Sequence, residues 1–363
     1  MNNRLASSSF LPSSAVLEMT YSCNHQCIFC SCPWEHAESN YHKGNELTLG
    51  QWKACIDKLA QYGANSFSYT GGEPFLNKNI EDIIWYVNSL KVNCLNAELE
   101  YEEKTPNQFL ISNGQLINES RLDFIKQQNV NLSLSLPGLR TYFDHTRNGS
   151  CDKILTLFSK AKERSINTTV NITVTKKNLF ELKETISNAL LAGANILLLN
   201  RFLPGGRGMS YTQELLLDKD ETIEMLLIAE DVLKKANRFG NVGTELPICL
   251  IKDIEFKHLS VGTRCAAGVD FFVVGPDGLI RTCNHSPIQL DSYEQIENLK
   301  TNKYWQTFTQ KKYLPENCTN CNLTNCCDGG CREAAHIFTG DLKGNDPIFI
   351  LEKIETTPHN SRS

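Results

Sequence analysis

Short hydrophobic runs alternate with amphipathic stretches over the first two thirds of this chain. The amphipathic stretches repeat their apolar residues with the period of a helix, and one of them opens with a capping box, Thr48 with Gln51 three residues on. That helix is expected to bury Trp52, Ile56 and Leu59 and to end at Gly63. The β-rich runs predict strands at 15–20, 66–70, 109–112, 130–136, 168–175 and 196–202, and further helices are predicted near 78–90, 119–127, 152–164 and 178–191.

Six strand–helix units in series predict an α/β fold with a parallel sheet and right-handed crossovers. Such sheets bind ligands at the carboxyl ends of their strands, so chemically active residues are expected just after strands. A long polar helix is predicted over 218–240, and the pattern then changes to short strands, with a hairpin at 271–281. The acidic insertion 96–108 predicts a solvated loop.

Composition and charge exclude several kinds of partner. The length of 363 residues predicts about two domains. The net charge is −5, and the interspersed charges offer no basic surface for nucleic acid. No apolar run is long enough to cross a bilayer, and the N-terminal segment lacks the apolar centre of a signal peptide. We therefore expect a cytoplasmic protein with no membrane and no nucleic-acid partner.

Fifteen cysteines are the main anomaly of the composition. Cytoplasmic thiols stay reduced, so clustered cysteines there are more often metal ligands than disulfides. Cys23, Cys27 and Cys30 follow the first predicted strand. A structural zinc site normally takes four ligands, and the spacing makes His25 a poor fourth, whereas three thiolates on a four-iron cluster leave one iron open. The triplet therefore favours an iron–sulfur cluster and leaves zinc as the alternative.

The segment YTGGEPFL (69–76) follows the second predicted strand. Gly71 and Gly72 alone are equally typical of a tight turn, but Glu73 before Pro74 adds a carboxylate at a strand end, suited to a cationic amine. Together with the loop CNHQCIFC, this segment makes the chain resemble the radical S-adenosylmethionine (SAM) enzymes. Those enzymes share a C-x-x-x-C-x-aromatic-C loop after strand one and a GGEP motif after strand two.

The resemblance implies a fold, two cofactors and a set of binding residues. The fold is a partial (β/α)6 barrel of the TIM type, and the cofactors are a [4Fe–4S] cluster, held by Cys23, Cys27 and Cys30, and SAM. The stretches LSLPGLRTYFDHTRNGS (134–150) and NRFLPGGRG (200–208) also resemble family segments, with Pro137 in place of an Asp. The implied SAM-binding residues are Phe29 near the adenine, Gly71, Gly72 and Glu73 at the methionyl amine, Ser135 and Arg147 at the ribose and carboxylate, and the backbone near Leu203 at the adenine; an ordinary surface arginine is the alternative for Arg147.

The chemistry also follows from the resemblance. In enzymes of this kind the reduced cluster cleaves SAM to a 5′-deoxyadenosyl radical, which abstracts a hydrogen from an unactivated carbon. The protein positions the reactants and excludes water. An external reductant such as flavodoxin or ferredoxin is therefore implied as a partner.

A second cysteine field lies in the C-terminal third. Its spacing, from Cys265 through Cys283 to the run C-x2-C-x5-C-x3-C, resembles the SPASM domain, with a zinc ribbon as the alternative. The resemblance divides the chain into a radical SAM barrel (1–210), a helical bridge (211–260) and a SPASM domain (261–363). It implies one auxiliary iron–sulfur site at Cys265, Cys283 and Cys331, and another at Cys318, Cys321 and Cys327. Most of the remaining cysteines are expected to be small core residues: Cys32, Cys55, Cys94, Cys151, Cys249 and Cys326.

The chain departs from the SPASM pattern at Phe349, where the last cysteine ligand is expected, and no cysteine occurs beyond residue 331. The second auxiliary site is therefore expected to be short of a thiolate. The alternatives are Cys326, Asp346 or His336 as a ligand, an open iron, or no cluster. For the first site, Cys249 is the best candidate for a fourth ligand, and a buried structural thiol is the alternative.

SPASM-bearing enzymes mostly modify peptides and proteins, so the resemblance implies a maturase of a ribosomally made precursor peptide. The stretch CSCPWE (30–35) and the overall size favour a three-residue cyclophane cross-link, with thioether formation next. The alternatives are formylglycine formation on a sulfatase, a small-molecule or tetrapyrrole dehydrogenase, and an iron–sulfur carrier without enzymatic activity. About fourteen residues precede the first predicted strand, so leader recognition is expected at the 205–260 bridge, at the acidic insertion or on a separate partner. The catalytic base stays unassigned, with Asp144 and Asp277 as candidates.

Overall fold

The computed structural model describes residues 10–41, 46–95 and 100–349. The strands in these ranges are β1 (Ser14–Glu18), β2 (Ser66–Thr70), β3 (Val92–Leu95), β4 (Tyr101–Lys104), β5 (Asn107–Ser112), β6 (Asn131–Ser135), β7 (Thr168–Val174), β8 (Ile196–Arg201), β9 (Gly240–Val242), β10 (Leu259–Val261), β11 (Phe271–Val274) and β12 (Ile280–Arg281). The α-helices are α1 (Leu49–Gln61), α2 (Ile80–Ser89), α3 (Glu119–Gln127), α4 (Tyr142–Thr146), α5 (Cys151–Glu163), α6 (Leu182–Ala192), α7 (Thr212–Leu215), α8 (Lys219–Ala236), α9 (Ile248–Ile251), α10 (Lys303–Thr309) and α11 (Arg332–Thr339). None of these helices is long and apolar enough to cross a membrane.

One large sheet organises the molecule. Its strand order is β10-β9-β8-β7-β6-β5-β2-β1-β11-β12, and every neighbouring pair is parallel except β11 with β12. The six strands β1, β2, β5, β6, β7 and β8 are the six predicted ones, and they lie side by side in chain order. The prediction of an α/β fold built on a parallel half-barrel is confirmed.

The first crossover helix shows how the local sequence determines the packing. Thr48 and Gln51 form the reciprocal capping box, with the Thr48 N–H donating to Gln51 Oε1 at 2.9 Å. Trp52, Ile56 and Leu59 are fully buried against the sheet. The apolar stripe of α1 therefore joins the main core, as its periodicity predicts.

Two expectations about secondary structure were wrong. The insertion 96–108, expected to be a loop, includes β4, which pairs antiparallel with β3, and the start of β5; its residues 96–99 lie outside the described ranges. The bridge 211–260 contains the predicted helix as α8, but also β9 and β10, which extend the large sheet beside β8. These strands have only three residues each, too few for a period-2 pattern to be recognised.

The C-terminal region is attached to the barrel through the sheet. The predicted hairpin is present, and β11 pairs in parallel with β1, so that Ser14 faces Phe271 and Leu17 faces Val274. Across this junction the buried Arg281 guanidinium forms an ion pair with the buried Glu18 carboxylate. The sheet therefore runs without a break across the predicted domain boundaries, which themselves stay a prediction.

Candidate active site

The first cysteine loop leaves the carboxyl end of β1 and lies directly on the turn after β2. The Gly72 N–H donates to the Thr20 carbonyl at 2.8 Å, and the Glu73 N–H donates to the Ser22 carbonyl at 2.9 Å. A Cβ atom at Gly72 would stand 2.0 Å from the Ser22 oxygen, so only glycine allows this approach. The double glycine thus holds the cysteine loop at the barrel mouth.

The other side of the loop is fixed by the segment after β8. A Cβ atom at Gly206 would stand 2.3 Å from the Cys32 carbonyl oxygen, and the Gly208 N–H donates to the Cys30 carbonyl at 2.9 Å. Between these glycines, Arg207 donates to the Cys27 carbonyl at 3.2 Å and forms an ion pair with Glu35. Backbone contacts from both β2 and β8 therefore set the conformation of the loop.

A cavity of about 180 Å³ opens beside this loop. It brings together seven of the residues predicted from the sequence: Cys23, Cys27, Cys30, Phe29, Gly71, Gly72 and Ser135. These residues come from the loops and strand ends of β1, β2 and β6, where a parallel sheet is expected to bind its ligand. The further lining residues, which the sequence prediction did not include among the binding residues, include His25, Cys32, Asn113, Tyr142 and Arg207.

Glu73 lies behind the cavity wall and is fully buried. Its carboxylate accepts hydrogen bonds from Ser112 Oγ at 2.8 Å, from the Asn113 N–H at 3.0 Å and from the Phe75 N–H at 3.3 Å. Asn113 in turn donates to Asn24 Oδ1 at 2.7 Å, within the cysteine loop. The carboxylate therefore organises the edge of the cavity, and its predicted contact with a methionyl amine stays a prediction.

The other predicted contacts lie outside the cavity lining. Arg147 is exposed at the end of α4, in the left-handed conformation with φ of 60°. Leu203 is buried and packs against Cys331 of the C-terminal region. Of the two candidate bases, Asp144 is exposed on α4, and Asp277 accepts hydrogen bonds from Tyr21 at 3.0 Å and from Gln289 at 2.8 Å.

The donor set of the loop fits an iron–sulfur cluster. Burial raises the pKa of the Cys27 thiol well above its ordinary value, and the neighbouring Cys30 and Cys23 raise it further. Three thiolates this close together at a partly buried site need compensating positive charge, which bound iron supplies. Within the described ranges, no three His, Cys, Asp or Glu side chains converge as ligands of a single ion. That geometry is compatible with a cluster, in which each thiolate binds a different iron.

The cavity also has features of a binding site for a polar organic molecule. His25 lies on its wall, and the buried Nε2 atom of that ring has no hydrogen-bond partner among the described residues. The lining combines apolar side chains at Phe29, Ile111 and Tyr142 with backbone and hydroxyl groups at Gly71 and Ser135. This mixture suits a ligand with an aromatic base at one end and charged groups at the other.

The first predicted auxiliary group is assembled in the C-terminal region. Cys265, Cys283 and Cys331 are all buried, and each of their thiols has a pKa raised by burial. The Glu245 carboxylate lies close enough to Cys265 and Cys331 to raise both values further. The structure therefore brings these three thiols together, with a carboxylate beside them.

The second predicted group is assembled as well, and it includes an unexpected member. Cys318, Cys321 and Cys327 are mutual neighbours, and the Ile248 N–H at the start of α9 donates to Cys327 Sγ at 3.4 Å. This contact brings Cys249 to Cys321 and Cys327. The sequence makes Cys249 the best candidate for the first group, whereas its neighbours in the structure are Cys321 and Cys327 of the second group; the group that it completes stays a prediction.

These features define the class of protein: an α/β half-barrel with three thiols and a ligand cavity at its mouth, followed by a cysteine-rich extension. Residues 17–189 match the model of the Radical SAM superfamily. Residues 17–189, the part of the chain that holds the cysteine loop and most of the cavity lining, are therefore similar to the radical SAM superfamily, and the residues at the barrel mouth fit the [4Fe–4S] cluster and SAM that its members bind.

Several curated proteins are similar over most of the chain. The sporulation killing factor maturation protein SkfB of Bacillus subtilis is 27% identical over 78% of this chain, and the match spans 62% of SkfB itself. A PqqA peptide cyclase of Bradyrhizobium diazoefficiens is 23% identical over 96% of this chain and 88% of its own length. The Fe-coproporphyrin III synthase of Methanosarcina barkeri is 22% identical over 94% of this chain and 88% of its own length.

Solved structures share the fold over nearly the whole chain. Streptococcus suis SuiB bound to S-adenosylmethionine superposes with a TM-score of 0.68 at 16% identity, and covers 93% of this chain and 77% of SuiB. This likeness includes the cysteine-rich C-terminal region as well as the half-barrel. The prediction of a radical SAM fold with a SPASM-type extension is confirmed.

Proposed function

We propose that this protein is a radical SAM maturase that cross-links a ribosomally made precursor peptide. The observation that carries the proposal is the extent of the match to a PqqA peptide cyclase, 96% of this chain, because it includes the SPASM-type region as well as the barrel. SkfB is likewise named for the maturation of the sporulation killing factor, and SuiB has been solved with its precursor peptide SuiA. Of the possible products, a C–C cyclophane is favoured and a thioether is next.

Different residues at the barrel mouth would bind the two cofactors. Cys23, Cys27 and Cys30 would hold the [4Fe–4S] cluster, and Gly71, Gly72 and Ser135 would bind SAM beside it. When bound, the cluster and SAM supply a radical that abstracts hydrogen from an unactivated carbon. Phe29 and Tyr142 form apolar walls that exclude water from the reacting groups. Arg207 adds a positive charge beside the Cys27 and Cys30 sulfurs, which favours their anionic form.

The C-terminal region would supply the electron sink that a cross-link needs. One hydrogen would leave as an atom to the 5′-deoxyadenosyl radical and the second as a proton, so that joining the two carbons leaves one electron, which an auxiliary iron–sulfur cluster at one of the two cysteine groups would accept. Leu203, at the end of the barrel segment, packs on Cys331, so the two parts are in direct contact. We infer that residues 1–210, 211–260 and 261–363 are three functional parts of one enzyme. This enzyme works in the reducing cytoplasm, with a flavodoxin or ferredoxin as reductant.

Mass spectrometry of co-expressed peptides tests this function. The chain is produced anaerobically with each short peptide encoded beside its gene, and a Cys27→Ala variant serves as the matched control. We expect a peptide that loses two hydrogens with the wild-type chain and is unchanged with the control. Fragmentation then places the new bond, at an aromatic ring for a cyclophane or at a cysteine sulfur for a thioether. Unmodified peptides throughout would count against a peptide substrate.

A tetrapyrrole substrate is the second candidate. It is favoured by the similarity to the Fe-coproporphyrin III synthase, which extends over 94% of this chain. The two candidate functions differ in their substrate. A peptide needs an open path to the cavity. A porphyrin absorbs strongly in the visible region, so its binding can be followed by absorbance. Titration of the reconstituted protein with an iron porphyrin, followed by absorbance, would show saturable binding only if this candidate is right.

A further inference from the structure

The second auxiliary group lacks its expected final ligand. A [4Fe–4S] cluster normally takes four cysteine thiolates, and the chain supplies Cys318, Cys321 and Cys327 but no cysteine beyond residue 331. Phe349 occupies the position of the missing ligand. Its ring packs against the main core, with the Lys219 ammonium 5.2 Å from the ring centre. A fourth ligand must therefore come from elsewhere in the fold.

The oxygen and nitrogen donors considered from the sequence are already engaged. Asp346 is fully buried and accepts from Arg201 at 2.9 and 2.6 Å, and from the Cys331 N–H at 2.8 Å. His336 Nδ1 lies 3.0 Å from Glu333 Oε2 and 3.2 Å from the Tyr304 hydroxyl. Recruiting either side chain would break a buried hydrogen-bond network, at the cost of unpaired buried charge.

Cys326 is adjacent in sequence but directed elsewhere. Its thiol is exposed and donates to the Leu323 carbonyl at 3.3 Å. The neighbouring sulfurs differ in their surroundings: Cys321 Sγ accepts from the Leu323 N–H at 3.5 Å, and Cys327 Sγ accepts from the Gly329 N–H at 3.4 Å. N–H donors aimed at sulfur are what a cluster thiolate requires, and they also tune its potential.

The bridge segment supplies the remaining thiol. The Ile248 N–H donates to Cys327 Sγ at 3.4 Å, so the residue next to Cys249 already touches the group. Cys318 Sγ lies beside Gly329, whose N–H donates to Cys327 Sγ. A Cβ atom placed on Gly329 would stand 3.4 Å from the Cys318 sulfur. Cys249 in turn lies within electrostatic reach of Cys321 and Cys327. Two chain segments about seventy residues apart thus contribute four sulfurs to one surface site.

We propose that Cys249 is the fourth thiolate of an iron–sulfur cluster bound by Cys318, Cys321 and Cys327. The cluster would then connect the bridge to the C-terminal region, in place of the connection that a terminal cysteine at 349 would make. Cys265, Cys283 and Cys331 would be left as a three-thiolate group with Glu245 at its side. The inference is independent of whether the substrate is a peptide or a porphyrin.

Iron analysis of the anaerobically reconstituted full-length chain tests the assignment. Cys249→Ser should lower the iron content by up to one cluster, about four atoms per chain, or change the electron paramagnetic resonance signal of one auxiliary cluster. Cys326→Ser is the matched control, and should change neither the iron content nor the signal. Wild-type iron and an unchanged signal in Cys249→Ser would overturn the proposal.

A second experiment, in a variant that lacks the second group, determines which auxiliary group Cys249 belongs to. In a chain carrying Cys318→Ala, Cys321→Ala and Cys327→Ala, the added Cys249→Ser substitution should cause no further loss of iron, because its cluster is already absent. Further loss would assign Cys249 to the group of Cys265, Cys283 and Cys331, and would contradict the proposal. Because the readout is iron, the result does not depend on a substrate being known.

Discussion

The sequence motif and the structure give Glu73 different roles. The motif predicts a contact with the methionyl amine of SAM, whereas the structure shows a carboxylate that organises the edge of the cavity. This carboxylate accepts three hydrogen bonds inside the protein and braces Asn113 against the cysteine loop. Glu73→Ala should lower the affinity for SAM at least tenfold, because hydrogen bonds to a charged group contribute about 1.5–3 kcal/mol each and the cavity edge loses its support. Equilibrium binding of SAM to the reconstituted protein measures the change.

The control for this prediction is Asp82→Asn, an exposed acidic residue on α2. It should leave the affinity for SAM as in the wild type. An affinity that Glu73→Ala also leaves unchanged would show that the carboxylate neither contacts the methionyl group nor shapes its site.

Glu181 gives a pH-dependent prediction for the loop between β6 and α4. Burial alone would raise its pKa, but hydrogen bonds from the Thr141 hydroxyl and from the N–H groups of residues 139–141 lower it below the ordinary value of 4.5. The ionised form therefore stabilises the fold above pH 4.5, and this contribution is lost as the pH falls through the lowered pKa. Glu181→Gln should cost about 3 kcal/mol at pH 7, and less at pH 4.

Thermal unfolding of the wild type and Glu181→Gln at the two pH values measures this difference. The gap between their midpoints should be wide at pH 7 and narrow at pH 4. A gap that widens in acid would mean that the carboxylate is protonated in the folded protein.

Single residues differ in how far the sequence predicts them. The cluster cysteines and the double glycine could be predicted from the sequence. Cysteine is required where the chain binds such a ligand, and glycine is required where one loop passes this close to another. Arg207 and Asn113 could not be predicted, since an arginine after a glycine pair and an asparagine after a strand are common, and only the fold brings them to the cavity. The structural neighbours of Cys249 could not be predicted, because spacing along the chain carries no information on how α9 packs.

At the scale of elements, the junction between β1 and the hairpin of β11 and β12 is the structural link to test. Glu18 and Arg281 form a buried ion pair across it, and the Arg281 guanidinium also lies 5.7 Å from the Trp34 ring centre. Glu18→Gln alone leaves a buried unpaired cation, which should cost about 3–5 kcal/mol of unfolding free energy. The double variant Glu18→Gln/Arg281→Met should cost less than Glu18→Gln alone, because no charge is left unpaired.

Anaerobic denaturant unfolding followed by circular dichroism compares the two variants with the wild type. If the double variant is less stable than Glu18→Gln alone, the residues do not act as a pair. The order of stabilities is the test, because a general loss of packing would make the double variant the least stable of the three.

The six barrel strands and their helices were predictable because each strand is long enough to show β-rich composition and each helix shows a full apolar stripe. The additional strands were not. β9 and β10 have three residues each, and β4 is Tyr-Glu-Glu-Lys, whose composition is that of an exposed loop. Such strands form because a neighbouring edge offers unpaired backbone groups, which is information that lies in the tertiary structure.

At the scale of the molecule, one sheet connects the cysteines of the barrel mouth with the first auxiliary group. The loop of Cys23 leaves β1, the segment of Cys265 leads into β11, and Cys331 packs on Leu203 beyond β8. Displacing any of these strands would move more than one candidate cluster site. The continuity of the sheet therefore fixes the position of the cysteine-rich extension relative to the barrel mouth.

We propose that the thiols at the barrel mouth, and not those of the C-terminal region, support the cleavage of SAM. The most direct test is the rate of 5′-deoxyadenosine formation by the reconstituted chain with dithionite and SAM, for the wild type and for the triple variant Cys23→Ala/Cys27→Ala/Cys30→Ala. We expect the triple variant to form no 5′-deoxyadenosine while keeping the iron of its auxiliary groups. Formation at the wild-type rate in the triple variant would contradict the assignment of the active site.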